Sequence, residues 1–352
     1  MNAHAQFRID VKRLLTLAGQ LFLNAGADAP VAESVARVLV EGELLGHRTH
    51  GVNLVGRYLD QLQQGQALGR SSEFEVLREG GVAGLFDGHY VLGPYCVERA
   101  LAFASAAARQ HGVGVGTVRR SAHIGCLAAY LKPLTDQGLL ALVLSSDPSA
   151  ALVSAAGGCT PVLTPNPIAA GIPGREAPIL LDVSMSSVTL GLVNQYRLAG
   201  RKLPHPVLVS GTGQVSDDPG VMQEDPRGAI LPLGGVAFGH KGFALGLLVE
   251  ALTGALAGHG RKDRPEQWGA GVTVLVLDPD HFAGIEAFIE EMAVIADAVL
   301  ASRPLDPKRP VRLPGQAGLG LRRAALEEGV ALAPEVHADL ARRARDAGLE
   351  AL

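Results

Sequence analysis

Val113-Gly114-Val115-Gly116-Thr117-Val118-Arg119-Arg120-Ser121-Ala122-His123-Ile124-Gly125 is the stretch that decides the fold class. Its first five residues alternate β-branched and small side chains and the sixth is again β-branched, the pattern of a buried strand. A Gly-x-Gly pair at such a strand invites a dinucleotide-binding turn, but the fingerprint needs a third glycine at 119, and that residue is Arg119. The other pairs fail in the same way: Gly211-x-Gly213 runs into Ser216, and Gly318-x-Gly320 into Arg323. Gly239-His240-Lys241-Gly242 lacks the Gly-Lys pair and following hydroxyl of a P-loop. Working outward, a helical stretch over Tyr95 to Gln110 precedes the strand, and a helix through Tyr130 to Thr135 follows it. Leu139 to Leu144, Ile179 to Val183 and Val272 to Leu277 carry strand lengths, and Lys241 to Ala257 is an apolar helix. Alternating strands and helices predict an α/β chain with a helix-covered sheet. Any nucleotide is held without the usual Rossmann turn.

Both ends read as helical. Val11, Leu14, Leu15, Ala18, Leu21 and Phe22 recur at helical spacing, and Asp28-Ala29-Pro30 opens a second helix with an N-cap and a first-turn proline. A third pattern, Val52, Val55, Tyr58, Leu59 and Leu62, ends at Gly65; Phe282 to Leu300 and Leu326 to Leu349 are helical again. Gly157 to Gly174 and Arg201 to Gly235 read as long Gly/Pro-rich loops, a feature more often functional than idle.

The 352 residues carry 31 Lys and Arg against 35 Asp and Glu, a formal charge of −4, without the basic surplus of a nucleic-acid binder. With 47% hydrophobic and 19% charged residues the chain is not globally disordered. Nine Phe, five Tyr and one Trp leave the core to aliphatic side chains. Cys96, Cys126 and Cys159 form no CxxC pair, which argues against a disulfide framework. The start, MNAHAQFRIDVKRLL, lacks the unbroken apolar core of a secretion signal. No run approaches the roughly 18 apolar residues of a membrane span, so no membrane partner and a cytoplasmic location are expected.

Three places carry chemistry. His47-x-x-His50 puts two imidazoles on one face if the helix persists. With a third ligand among His89, His111 and His123 they would suit zinc, but no spacing selects one, and no metal is the expectation. The alternatives are a solvated helix end and a proton-transfer histidine, with Thr49 able to hydrogen-bond His50 and Gly51 freeing the backbone beside it. Asp182, after Ile179-Leu180-Leu181, is either the N-cap of the next helix or a carboxylate paired with a histidine. Lys241, behind Leu231-Pro232-Leu233-Gly234-Gly235, opens a helix whose N–H groups and ammonium suit a phosphate, or is an ordinary exposed lysine.

These motifs occur in one order: Gly46-His47-Arg48-Thr49-His50-Gly51-Val52, Arg120-Ser121-Ala122-His123-Ile124-Gly125, Thr164-Pro165-Asn166-Pro167, Leu181-Asp182-Val183-Ser184-Met185-Ser186, Leu231-Pro232-Leu233-Gly234-Gly235, Lys241-Gly242 and Arg312-Leu313-Pro314-Gly315. The ordered set resembles the malate/L-lactate dehydrogenase family of the second type, with its ureidoglycolate, sulfolactate, diketogulonate and cyclic-imine carboxylate branches. Asp182 to Pro204 looks most like the diketogulonate reductases. The resemblance implies a non-Rossmann nicotinamide-binding sheet domain with a helical domain built from both chain ends, here residues 1–85, 86–284 and 285–352, and a homodimer. It implies NAD or NADP as cofactor and a small 2-oxo or 2-hydroxy acid as substrate. A cyclic imine carboxylate is the alternative substrate; a histidine-based metal hydrolase and a non-catalytic relative are the competing readings.

By the same resemblance His50 is the proton donor, Thr49 stands for the family's serine, Asp182 supports the histidine, and His123 lies at the cofactor–substrate junction. Gly125, Leu180, Leu181, Asp182, Val183, Ser184, Met185, Ser186, His240, Lys241, Gly315 and Gln316 match cofactor-contacting segments. Four positions depart from the pattern. Leu54 stands where members often have a substrate-binding Arg, leaving Arg57 or Arg120 to hold the acid group. Ile124 replaces a Phe, Gln316 a Glu, and Gly191-Leu192 a Gly-Lys pair.

Overall fold

The structure, a computed structural model, describes residues 7–350; the first six residues of the leader reading lie outside that range. Strand β1 (Phe7–Ile9) leads into helices α1 (Val11–Asn24), α2 (Ala29–Leu44) and α3 (Leu54–Gln63). Then come β2 (Glu75–Gly80), β3 (Ala83–Asp87), α4 (Gly93–His111), β4 (Val113–Ser121), α5 (Lys132–Thr135) and β5 (Leu140–Ser146). The middle holds β6 (Val153–Ser154), β7 (Pro161–Leu163), β8 (Ile168–Ile172), β9 (Ile179–Val183), α6 (Leu190–Leu198), β10 (Leu208–Val209), β11 (Val215–Ser216), β12 (Ala229–Ile230) and α7 (Gly235–Glu250). It closes with β13 (Ala270–Leu277), α8 (Ile285–Ala301), α9 (Gln316–Glu328), β14 (Val330–Leu332) and α10 (Pro334–Asp346). The chain divides into two compact units, one comprising residues up to Val143, Ala169–Leu181 and Val274 onward, the other Leu144–Ile168 and Asp182–Thr273.

The first unit is built around a seven-stranded sheet in the order β2-β3-β4-β13-β5-β8-β9, several of whose strands run past the division. β3 and β4 pair in parallel, and α4 lies on β4 so tightly that a Cβ at Gly114 would stand 2.0 Å from Ala104 O and one at Gly116 2.9 Å from Ala100 O. The Gly-x-Gly pair therefore serves helix–strand contact and not a phosphate turn. Asp10 and Asp28 cap α1 and α2 through Arg13 N and Val31 N, with a proline in α2's first turn as the sequence predicts. β1 pairs antiparallel with β14, which ties the chain ends together; α2 meets α9, and α3 meets α10. Both chain ends thus join one helical layer, but the boundaries expected at 85 and 284 fall within this unit, the first of them inside β3. The reason is packing: α4, well beyond residue 85, lies against α2. The expected single helix over Leu326 to Leu349 is broken at Gly329 (φ +87°) by β14.

The second unit contains a five-stranded sheet, β11-β10-β12-β6-β7, four of whose strands come from the segments expected as loops and one, β6, from just before the first of them. Its strands are two or three residues long, below what periodicity can detect. Val153, Leu163, Val193, Leu208 and Ile230 form its core. Helix α7 begins six residues before Lys241 and continues as a π-turn, Ala251–Ala255. Gly239, Gly242, Gly246 and Val249 are its buried side, where a Cβ on Gly242 would sit 2.5 Å from Leu233 O. Contrary to the expectation that no span-length segment exists, Gly235–Ala255 is long and apolar enough to cross a membrane by length and composition alone. His240 and Lys241 interrupt its apolar run, so that the sequence shows only the part from Lys241 to Ala257 as an apolar helix.

Candidate active site

Helix α2 stops at Leu44, and the chain turns through Gly46 (φ +83°) into a 3-10 turn, Arg48–His50. His47 N–H donates to Gly42 O and His50 N–H to His47 O, so the helix does not persist and the two histidines do not share a helical face. Thr49 Oγ1 lies 2.9 Å from His50 Nδ1. The hydroxyl orients the imidazole through Nδ1.

The second histidine follows β4. Ala122 N–H donates to Val91 O, and a Cβ at Gly93 would lie 2.4 Å from Ala122 O and 2.5 Å from His123 O, so only glycine lets the start of α4 approach this loop. The rings of His50 and His123 stack with centroids 5.8 Å apart. Tyr58, from the apolar side of α3, meets His123 edge-on, and its one hydroxyl proton is shared between Nδ1 at 2.6 Å and His123 O at 2.9 Å. Gly125 N–H also donates to Nδ1 at 3.3 Å, so in the neutral ring the geometry puts the proton on Nε2. Burial first, then the nearby His50 and Arg57, push His123 down to about 3. Burial pushes the Tyr58 phenol up, against a smaller pull from Arg57. At neutral pH the pair is an uncharged imidazole and an uncharged phenol. The sequence reading missed Tyr58, counting it only as core; its signal was a polar tip on an apolar helix face, which must find a partner once buried.

The other expected residues fall in two groups. In the first unit Gly315 (φ +79°) packs on Leu180, where a Cβ would meet Leu180 Cβ at 2.7 Å, and Leu180 N–H donates to Pro314 O. Gln316 Oε1 accepts Leu313 N–H, which holds the Pro314-Gly315 turn. Arg57 is exposed and Leu54 buried. Arg120 (φ +53°) is engaged elsewhere: its Nε and Nη2 bind Asp87, and Nη2 lies 3.0 Å from His89 Nδ1.

In the second unit the half-buried Asp182 heads a segment threaded between two loops. Met185 N–H donates to Pro165 O, Leu233 N–H to Met185 O, and Ser184 and Ser186 share a hydroxyl contact at 3.1 Å. Leu181 and Val183 flank Asp182 on β9. The segment meets the start of α7, where His240 and Lys241 are exposed and the Lys241 ammonium stands 5.2 Å from the Phe238 ring. That start carries no side-chain cap, its N-cap Gly234 has φ +98°, and a Cβ at Gly235 would meet nothing within 4 Å. Uncapped N–H donors at a helix start suit a phosphate, and the exposed Lys241 lies six residues further along the same helix.

Comparison with known proteins extends over nearly the whole chain. Residues 9–341 match the family described as malate/L-lactate dehydrogenase. The chain is 29% identical to a malate dehydrogenase of Pyrococcus horikoshii, across 98% of this chain and 97% of that one. A malate/(S)-sulfolactate dehydrogenase of Methanothermus fervidus is 30% identical across 76% and 78%. Among solved structures, a malate dehydrogenase from P. horikoshii superposes with TM-score 0.86, covering 99% of this chain and 97% of that one at 27% identity. A delta1-piperideine-2-carboxylate reductase from Pseudomonas syringae superposes with TM-score 0.81, covering 96% and 99% at 26% identity. A seven-stranded sheet without a dinucleotide fingerprint, two stacked imidazoles and this unbroken match agree: the chain belongs to the malate/L-lactate dehydrogenase family of the second type.

Proposed function

We propose that the protein is an NAD(P)-dependent dehydrogenase that interconverts a 2-oxo acid and its 2-hydroxy acid, with His50 as the proton donor. The observation that carries this reading is the stacked pair of imidazoles, one buried and neutral, the other hydrogen-bonded by Thr49. Two imidazoles this close resist both being cations, and enclosure makes His123 the neutral one. His50 then carries the proton that the substrate oxygen receives, Thr49 holds its ring, and Tyr58 fixes His123 so that Nε2–H serves as a neutral donor. When bound, the nicotinamide supplies or accepts the hydride. The start of α7 with His240 and Lys241, and the segments Leu180 to Ser186 and Gly315-Gln316, would hold the cofactor. Arg57 is the candidate for the substrate carboxylate, because its charge already bears on His123.

The test is a screen of NADH and NADPH oxidation against 2-oxo acids, diketo sugar acids and cyclic imine carboxylates. Turnover of a 2-oxo acid is expected. Preference for a cyclic imine would move the chain towards the reductase branch of the Pseudomonas relative, and preference for a diketo sugar acid towards the branch that Asp182 to Pro204 resembles. No turnover with either cofactor would contradict the reading.

The partner is a second copy of the chain. On α7 Phe238 is 59% and Leu248 49% exposed, and on α8 Val294 is 65% exposed, apolar areas that suit a protein neighbour. Three cysteines without a CxxC pair fit the reducing cytoplasm.

A further inference from the structure

The turn that presents His50 is closed from inside by a carboxylate that the proposed reaction does not use. Glu43 is the next-to-last residue of α2, between the buried Gly42 and Leu44. Its side chain lies under the turn, where Oε2 accepts the Val52 N–H at 3.3 Å. The crossing is close: a Cβ on Gly51 would stand 2.5 Å from this Oε2 and 2.9 Å from Glu43 N, and one on Gly42 3.0 Å from His50 O. Gly46 N–H donates to Glu43 O and His47 N–H to Gly42 O, so α2 and the turn are bonded on both sides of the carboxylate. Burial pushes Glu43 up to about 7, opposed by the Val52 N–H and by the charge of Arg48. Around it, His47, Arg48 and His50 belong to the turn, and the Cys126 side chain lies against Gly42. Of the other charges of α2, Glu41 pairs with Arg322 of α9 and Arg37 with Glu98 of α4, and Glu33 stands near the opposite end of the helix.

We propose that Glu43 is a positioning residue: by holding the Val52 N–H under Gly51, its carboxylate fixes the backbone that carries His50, and it does so more firmly when ionised than when protonated. The proposal rests on the reading of His50 as donor. A charge-assisted hydrogen bond is roughly twice as strong as a neutral one, so the hold loosens as Glu43 takes up its proton. Reduction itself needs a protonated His50 and slows in alkali. Glu43 adds the opposite limb, on the acid side of neutrality.

Glu43→Gln keeps the shape and an acceptor for Val52 N–H while removing the charge. With the holoenzyme and oxaloacetate as probe substrate, kcat at about pH 8 should fall roughly tenfold, the acid-side limb should vanish, and cofactor affinity should stay put. The melting temperature at the same pH should rise, because an ionised buried carboxylate is gone. A fall in both turnover and melting temperature, or an unchanged pH profile, would overturn the proposal. A second measurement needs no turnover: in 15N-valine-labelled protein the Val52 amide should titrate near neutrality in wild type and not in Glu43→Gln. A Val52 amide that does not titrate overturns the proposal. Full activity in His50→Asn would remove the donor reading beneath it, whereas an inactive His50→Asn with an unchanged Glu43→Gln profile removes the positioning role alone.

Discussion

His123 shows how burial assigns a role to a residue type that sequence alone leaves open. Its ring is held neutral to about 3, so the folded chain resists a proton that the unfolded chain accepts near 6.5. Its contribution to stability is therefore full above pH 6.5 and is lost as the solution is acidified towards 3. Glu43 has the opposite sign: its contribution is full below 4.5 and is lost as pH rises through about 7. Urea unfolding as a function of pH should show the His123 slope disappear in His123→Phe. A variant that keeps the slope would place it on another group. Tyr58→Phe removes the hydroxyl that donates to His123 O, leaving a buried acceptor short of a partner at a cost of about 1–3 kcal/mol. It should also lower turnover, measured at matched folded fraction; unchanged turnover would make Tyr58 purely structural. His50, Thr49 and His123 were legible because they stand in recognisable motifs. Tyr58 and Glu43 were not, because one reads as an apolar-face residue and the other as an ordinary helix glutamate until the fold buries them.

At the scale of elements, glycines decide what approaches what. Gly114 and Gly116 read as half of a nucleotide fingerprint, yet α4 occupies the space their missing side chains leave. Gly114→Ala should therefore destabilise the fold, by more than about 2 kcal/mol in urea unfolding, since the clash is with backbone. A stable variant with weakened cofactor binding would instead restore the fingerprint reading. The start of α7 is the reverse case, open in front of Gly235 and uncapped. Lys241→Ala should weaken nicotinamide cofactor binding, and more at low salt than at high salt, because exposed charge is screened. Equal dissociation constants for both proteins at low ionic strength would reduce Lys241 to a surface lysine. The helix itself was legible from its apolar run, but its first six residues, Gly235 to His240, were not, because glycines at 235 and 239 read as loop.

For the whole molecule, alternating strands and helices gave the α/β class, and the missing third glycine excluded the Rossmann turn. What stayed hidden depends on contacts remote in sequence. β1 pairs with β14 across more than three hundred residues, and five short strands assemble from segments without periodicity of their own. The division into units likewise comes from packing between distant segments, here 169–181 and the chain beyond 274 joining the first 143 residues. The central claim is that this fold presents His50 as the proton donor of a nicotinamide-dependent reduction. Single-turnover oxidation of NADH or NADPH at saturating 2-oxo acid, in wild type and His50→Asn, tests it most directly. The account predicts a rate lowered by about 10²–10⁴ with cofactor affinity nearly intact. A mutant rate near that of wild type would contradict it.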